Sequence, residues 1–83
     1  MNIHVRLGAG LVQYTGNPRL VITLAESASV ADLVNQLCLD YPPLAQKLDT
    51  AVPMVAGRHA ALTDPLAAGQ EVALLLPVAG GSN

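Results

Sequence analysis

Only one stretch of this chain carries the period of an amphipathic α-helix. Val30, Leu33, Val34, Leu37 and Cys38 fall at offsets i, i+3, i+4, i+7 and i+8, which puts them on a single helical face. Asp32, Asn35, Gln36 and Asp40 take the other face. Ser29 precedes the stripe and Asp32 stands at the third helical position, the spacing of a capping box with Asp in place of the commoner Glu. Tyr41-Pro42-Pro43 closes it, because a residue that precedes proline is pushed out of the α region. The spacing predicts a helix over residues 29–39 and at most one further short turn over 44–48. A lone helix cannot bury its own apolar stripe, so something flat must cover it.

The rest of the chain supplies a sheet. Ile3, Val5 and Leu7 alternate with His4 and Arg6, and Leu20, Ile22 and Leu24 alternate with Val21 and Thr23. These two strands form a hairpin with a long connection, bounded by Gly8-Ala9-Gly10 and Thr15-Gly16-Asn17-Pro18, with a less regular stretch at 11–14. A short third strand is predicted over 52–56, followed by a turn at Gly57-Arg58-His59. Further turn chemistry lies at Asp64-Pro65-Leu66 and Ala67-Ala68-Gly69. The last strand, predicted over 70–78, is apolar on both faces, with Val72, Leu74 and Leu76 on one side and Ala73, Leu75 and Val78 towards the other. That makes it a central strand, and Pro77 ends it. A helix between strands implies a crossover joining parallel neighbours. The architecture expected is α+β: a ubiquitin-like β-grasp, a mixed sheet with one main helix on one face. A ferredoxin-like fold would want a second convincing helix.

Composition narrows the function. The 83 residues make one domain, with residues 1–78 as its body and 79–83 as a glycine-rich, mobile tail. Four Lys and Arg against six Asp and Glu give a net charge of −2, the wrong sign for a nucleic-acid or acidic-membrane binder. With no Trp or Phe, and only Tyr14 and Tyr41 aromatic, there is no stacking platform for bases. The longest apolar run, 72–79, is too short to span a bilayer, and the first residues contain no apolar signal run. One unpaired thiol, Cys38, fits a reducing cytoplasm and reads as a small core residue. His4 and His59 are isolated solvent or turn residues, so no metal site is expected. Asp32 and Asp64 read as cap and turn residues, Arg58 as a solvated turn charge. Gly8-Ala9-Gly10 lacks the third glycine and following helix of a dinucleotide fingerprint, and reads as a turn.

Three stretches together resemble the MoaD/ThiS sulfur-carrier family. They are Ser29-Val30-Ala31-Asp32-Leu33-Val34 with its Tyr41-Pro42 stop, Gly69-Gln70-Glu71-Val72-Ala73-Leu74, and Pro77-Val78-Ala79-Gly80-Gly81. Tyr41-Pro42-Pro43-Leu44 and Pro77-Val78 look closer to the MoaD branch. The resemblance implies a carrier that is not itself an enzyme and binds no cofactor. A partner adenylating enzyme of the ubiquitin-activating kind, using ATP, would activate the Gly81 carboxylate. A persulfide donor would then leave a thiocarboxylate there, whose sulfur passes to a biosynthetic acceptor. Gly80 and Ala79 would thread the partner's cleft, since chain without bulky side chains enters a narrow channel. Fully extended, residues 77–81 reach roughly 17 Å at ~3.4 Å per residue.

Ser82 and Asn83 depart from the family pattern, because they lock the Gly81 carboxyl in a peptide bond. Three readings compete: a protease trims them at Gly81-Ser82, they are residues appended for expression, or the chain has become a binding partner without tail chemistry. Leu74-Leu75-Leu76 is a second departure, standing where MoaD-like proteins often carry aromatics and a proline. It leaves the partner enzyme open. If a single helix covers one face of the sheet, Leu75 lies in an exposed apolar patch on the other, and Leu75, Pro77 and Val78 become the docking residues. The rival functions are the small subunit of molybdopterin synthase, seated in the large subunit, and a ubiquitin-like modifier or interaction module.

Overall fold

The computed structural model describes residues 1–77. Five strands form one mixed sheet: β1 (Asn2–Leu7), β2 (Arg19–Thr23), β3 (Val52–Val55), β4 (Arg58–His59) and β5 (Glu71–Leu75), in the order β2-β1-β5-β3-β4. β1 and β2 are antiparallel, with Ile3 opposite Ile22 and Val5 opposite Leu20. β1 and β5 are parallel, and β5 is antiparallel to β3. The long helix α1 (Val30–Asp40) lies across one face of this sheet, and a single α turn, α2 (Ala45–Leu48), follows a 3-10 turn at Pro42–Leu44.

Period and packing agree at every strand that faces the helix. Ile3, Val5 and Leu7 of β1, Ile22 of β2, and Val72 and Leu74 of β5 all meet Val30, Leu33 and Leu37 of α1 in one core, with Leu11, Leu44, Leu48 and Leu66 closing its ends. The helix begins where the sequence places it. Ser29 Oγ accepts from the Asp32 N–H at 3.3 Å, and Asp32 Oδ2 accepts from the Ser29 N–H at 2.8 Å. Two of the otherwise orphan donors at the helix start are thereby satisfied. Tyr41 N–H still bonds to Leu37 O at 2.8 Å before the prolines end the ladder.

Four sequence expectations need correction. Residues 57–59 are not simply a turn. Ala56 and Gly57, at φ 53° and 78°, make the two-residue bend, and Arg58 and His59 run back along β3 as a strand, opposite Val55 and Met54. Left-handed φ at both central residues is what a tight hairpin of this twist requires. The helix does not join neighbouring parallel strands. It carries the chain from one side of the sheet to the other, past two strands, and the parallel neighbours are β1 and β5. β5 stops at Leu75, short of Pro77, because its partners stop there: Leu75 sits opposite Val52, the first residue of β3, and β1 has given way to Gly8. Cys38 is half-buried at the margin of the core. The expected boundary between body and tail at residues 78 and 79, and the mobility assigned to the tail, lie outside the described residues.

Candidate functional site

β5 is the central strand, and the residues after it lead toward the C-terminal signature. Of the residues that signature implicates, Leu75 and Pro77 are described; Val78, Ala79, Gly80, Gly81 and Ser82 lie outside the described residues. Leu74 and Leu75 point in opposite directions from β5. Leu74 is in the core at 1% exposure, whereas Leu75 is 38% exposed on the helix-free face. Leu76 packs part-buried against the core edge and Pro77 is exposed.

The helix-free face around Leu75 is built by register. Ala73 lies between Arg6 of β1 and Met54 of β3, and Met54 lies opposite His59 of β4. On the other flank Arg6 is opposite Arg19 and His4 is opposite Val21, which is 58% exposed. An open depression of about 360 Å³ runs over this surface, lined by Arg6, Met54, Glu71, Ala73 and Leu75 among others. Arg6 Nε stands 3.9 Å from Glu71 Oε1 with both side chains about half exposed, a pair too solvated to hold either rigidly. The face is therefore apolar at its centre, with Arg6, Arg19 and Glu71 along one side. Charges so weakly paired remain available to another protein.

Asp32 and Asp64 are the cap and turn residues their positions predict. Asp32 caps α1, and Asp64 Oδ2 accepts the Ala61 N–H at 2.9 Å to close a turn. His4 and His59 are exposed, although His59 sits on a strand. No group of three His, Cys, Asp or Glu side chains that could hold a metal occurs among the described residues. No helix among them is long and apolar enough to cross a membrane.

The loop at residues 8–11 is the turn its glycines predict, with Leu11 N–H bonded to Gly8 O at 3.1 Å. Gly8 and Gly10 also lie beneath the chain leaving β5. A Cβ on Gly8 would stand 2.9 Å from Leu75 Cδ2, and one on Gly10 would stand 2.9 Å from Leu76 Cδ1. The available signal is a pair of glycines immediately past the end of β1.

The ThiS family model matches residues 5–81, which is nearly the whole chain and runs through the paired glycines. The chain belongs to the ThiS family. Among solved structures, this ThiS-family chain is similar to SAMP1, the small archaeal modifier protein 1 of Haloferax volcanii. The two are 28% identical with a TM-score of 0.88, over 98% of this chain and 100% of that one. It also resembles a chain in the complex of subunits 1 and 2 of molybdopterin-converting factor from Helicobacter pylori, at 21% identity and TM-score 0.71, over 98% and 100%. A ubiquitin from Caldiarchaeum subterraneum aligns at 24% identity and TM-score 0.64, over 98% of each chain. No curated protein sequence matches it significantly. The last two likenesses establish the ubiquitin-like β-grasp. The family match and the likeness to SAMP1 make this a small ThiS-family protein related to sulfur carriers and archaeal modifiers.

Proposed function

We propose that this ThiS-family protein is a sulfur carrier whose reacting group is the C-terminal carboxylate of Gly81, exposed by removal of Ser82 and Asn83. The observation that carries the reading is the family match running from β1 through Gly81 on a fold whose central strand leads directly into that segment. The body is a docking module. Its helix-free face, with Leu75 and Met54 flanked by Arg6, is the surface an activating enzyme grips while the last residues enter its cleft.

The chemistry then belongs to the partner. A Gly81 carboxylate oxygen attacks the α-phosphorus of ATP and pyrophosphate leaves, which gives an acyl adenylate. The outer sulfur of a persulfide attacks the acyl carbon and AMP leaves. A second thiol attacks the donor-side sulfur of the remaining S–S bond, forms a disulfide with it, and releases the thiocarboxylate. Glycine at the reacting position keeps the approach to that carbon free of a Cβ.

Intact-protein mass spectrometry tests this with the cognate activating enzyme, ATP and a persulfide donor. A chain ending at Gly81 should gain an adenylate and then exchange one carboxyl oxygen for sulfur, and the 83-residue chain should stay unchanged. A Gly81-ended chain that acquires no sulfur sinks the carrier reading, and charging of the 83-residue chain with Ser82 and Asn83 still attached sinks the proposed first step.

The likeness to small archaeal modifier protein 1 favours one second reading, a ubiquitin-like modifier. It shares the adenylate and differs in the acceptor, a protein lysine in place of a sulfur relay. An isopeptide remnant of Gly80-Gly81 on cellular lysines would select it. The Helicobacter pylori complex supports a role as the small subunit of a molybdopterin synthase, and copurification of a large subunit would select that.

A further inference from the structure

The two edges of the sheet are finished differently. β4 is two residues long and carries Arg58 and His59, so that edge is brief and polar. β2 is five residues long, and Arg19, Val21 and Thr23 on it are all exposed. Its backbone is open too. His4 N–H donates to Gln70 O and Gly69 N–H donates to Asn2 O, both at 2.9 Å, so the even residues of β1 turn their backbone groups toward the β5 side and the odd ones toward β2. Ile3 with Ile22 and Val5 with Leu20 are therefore the pairs that exchange bonds. The ladder continues at one end with Leu7 N–H to Pro18 O at 2.8 Å and at the other with Leu24 N–H to Met1 O at 2.8 Å. Arg19, Val21 and Thr23 turn their own groups away from the sheet. Among the described residues only the Arg19 N–H has a partner on that side, Asn17 Oδ1 at 3.0 Å.

We propose that β2 is a self-association edge, where a second copy of this chain pairs antiparallel about a two-fold axis through Val21. The occupant follows from the inventory of free groups. In that register each Val21 exchanges both of its bonds with its mate, and each Thr23 N–H meets the free carbonyl of Arg19 on the other copy. Arg19 N–H, which would face Thr23 O, is the one donor already satisfied. Every outward N–H of the strand thus finds an acceptor. The side chains agree with the backbone. The exposed Val21 of one copy packs on Val21 of the other, Arg19 lies opposite uncharged Thr23, and no like charges face each other. A parallel arrangement would set Arg19 beside Arg19. The axis stands perpendicular to the sheet, so both helix-free faces lie on the same side of one continuous sheet, and β1 and β2 separate each β5 from the junction. This inference does not rest on the carrier reading.

So short a junction belongs with weak associations, and the pairing should be present at about 1 mM and absent at about 10 µM. Between those concentrations of the 83-residue chain, NMR should show slower translational diffusion, shifted Val21 and Thr23 amide resonances and slower exchange of both amides with solvent, while the Arg58 and His59 amides stay where they are. Val21→Lys sets two ammonium groups against each other across the axis. It should weaken the dimer by roughly tenfold or more, and it should leave the melting temperature of the dilute chain unchanged because Val21 is exposed. Val21→Thr should keep the dimer. Thr23→Glu places a carboxylate opposite Arg19 of the other copy at both ends and should tighten it several-fold.

A chain that stays monomeric at 1 mM overturns the proposal, and so does a dimer whose shifts map to β4 or to Leu75. A dimer that tolerates Val21→Lys or is indifferent to Thr23→Glu overturns it as well, since the axis is then elsewhere. Shifts at Val21 and Thr23 that do not depend on concentration and appear only when the activating enzyme is added assign the edge to a foreign strand and remove the second copy.

Discussion

Leu74 and Leu75 are neighbours in the chain with opposite consequences when cut back. Leu74 lies among Val5, Leu7 and the α1 leucines, so Leu74→Ala leaves a cavity and should cost ~2–5 kcal/mol in urea denaturation. Leu75 is partly wet on the other face, and Leu75→Ala should cost under about 1 kcal/mol by the same measurement. The partner pays the difference: capture by the activating enzyme should weaken for Leu75→Ala although the body is as stable as the parent. An equal loss of stability from both truncations would place Leu75 in the core and remove the docking face. Alternation alone shows that the two leucines point apart. It cannot say which side is covered, because the run is apolar on both, and that is settled by where α1 lies. Gly8 and Gly10 were illegible for a related reason. A glycine's partner across space leaves no local trace, and Leu75 and Leu76 lie at the far end of the chain.

At the scale of elements, α1 depends on its first turn. Ser29 and Asp32 satisfy each other's backbone N–H groups, so Ser29→Ala should lower stability by about 1 kcal/mol in thermal or chemical denaturation. Asp32→Asn should retain part of the reciprocal bond and lose less. No change for Ser29→Ala would mean that packing of Val30, Leu33 and Leu37 alone fixes where the helix starts. The helix was legible to within a residue at each end because cap, period and prolines all point to one answer. β4 was not, since two residues show no period and the left-handed pair Ala56-Gly57 has an alanine where hairpin chemistry favours Asn or Asp. The parallel β1–β5 pairing was hidden as well. It joins the first strand to the last, and nothing near either one in the sequence encodes the other.

For the whole molecule, the strand order has a direct thermodynamic meaning. β5 stands between the β2-β1 and β3-β4 halves of the sheet and adds Val72, Ala73 and Leu74 to its buried interior. A chain ending at Gln70 should therefore have no cooperative thermal transition and a collapsed amide NMR spectrum. A folded, cooperatively melting 1–70 fragment would contradict this account of the sheet. Because its central pairing spans the chain, folding should also be slow for the size, in the millisecond-to-second range of domains rich in distant contacts. Stopped-flow refolding measures it.

The parallel β1–β5 pair has a mechanical corollary. A chain threaded into a partner and pulled from its C-terminal end puts tension along β5, while the body resists through β1 on one side and β3 on the other. Tension along a strand loads all of its cross-strand hydrogen bonds together, in shear, where a strand peeled from an edge would surrender them one at a time. For the proposed carrier, β5 is thus a tether: the sheet that buries Val72 and Leu74 is also what would keep the handle from tearing loose.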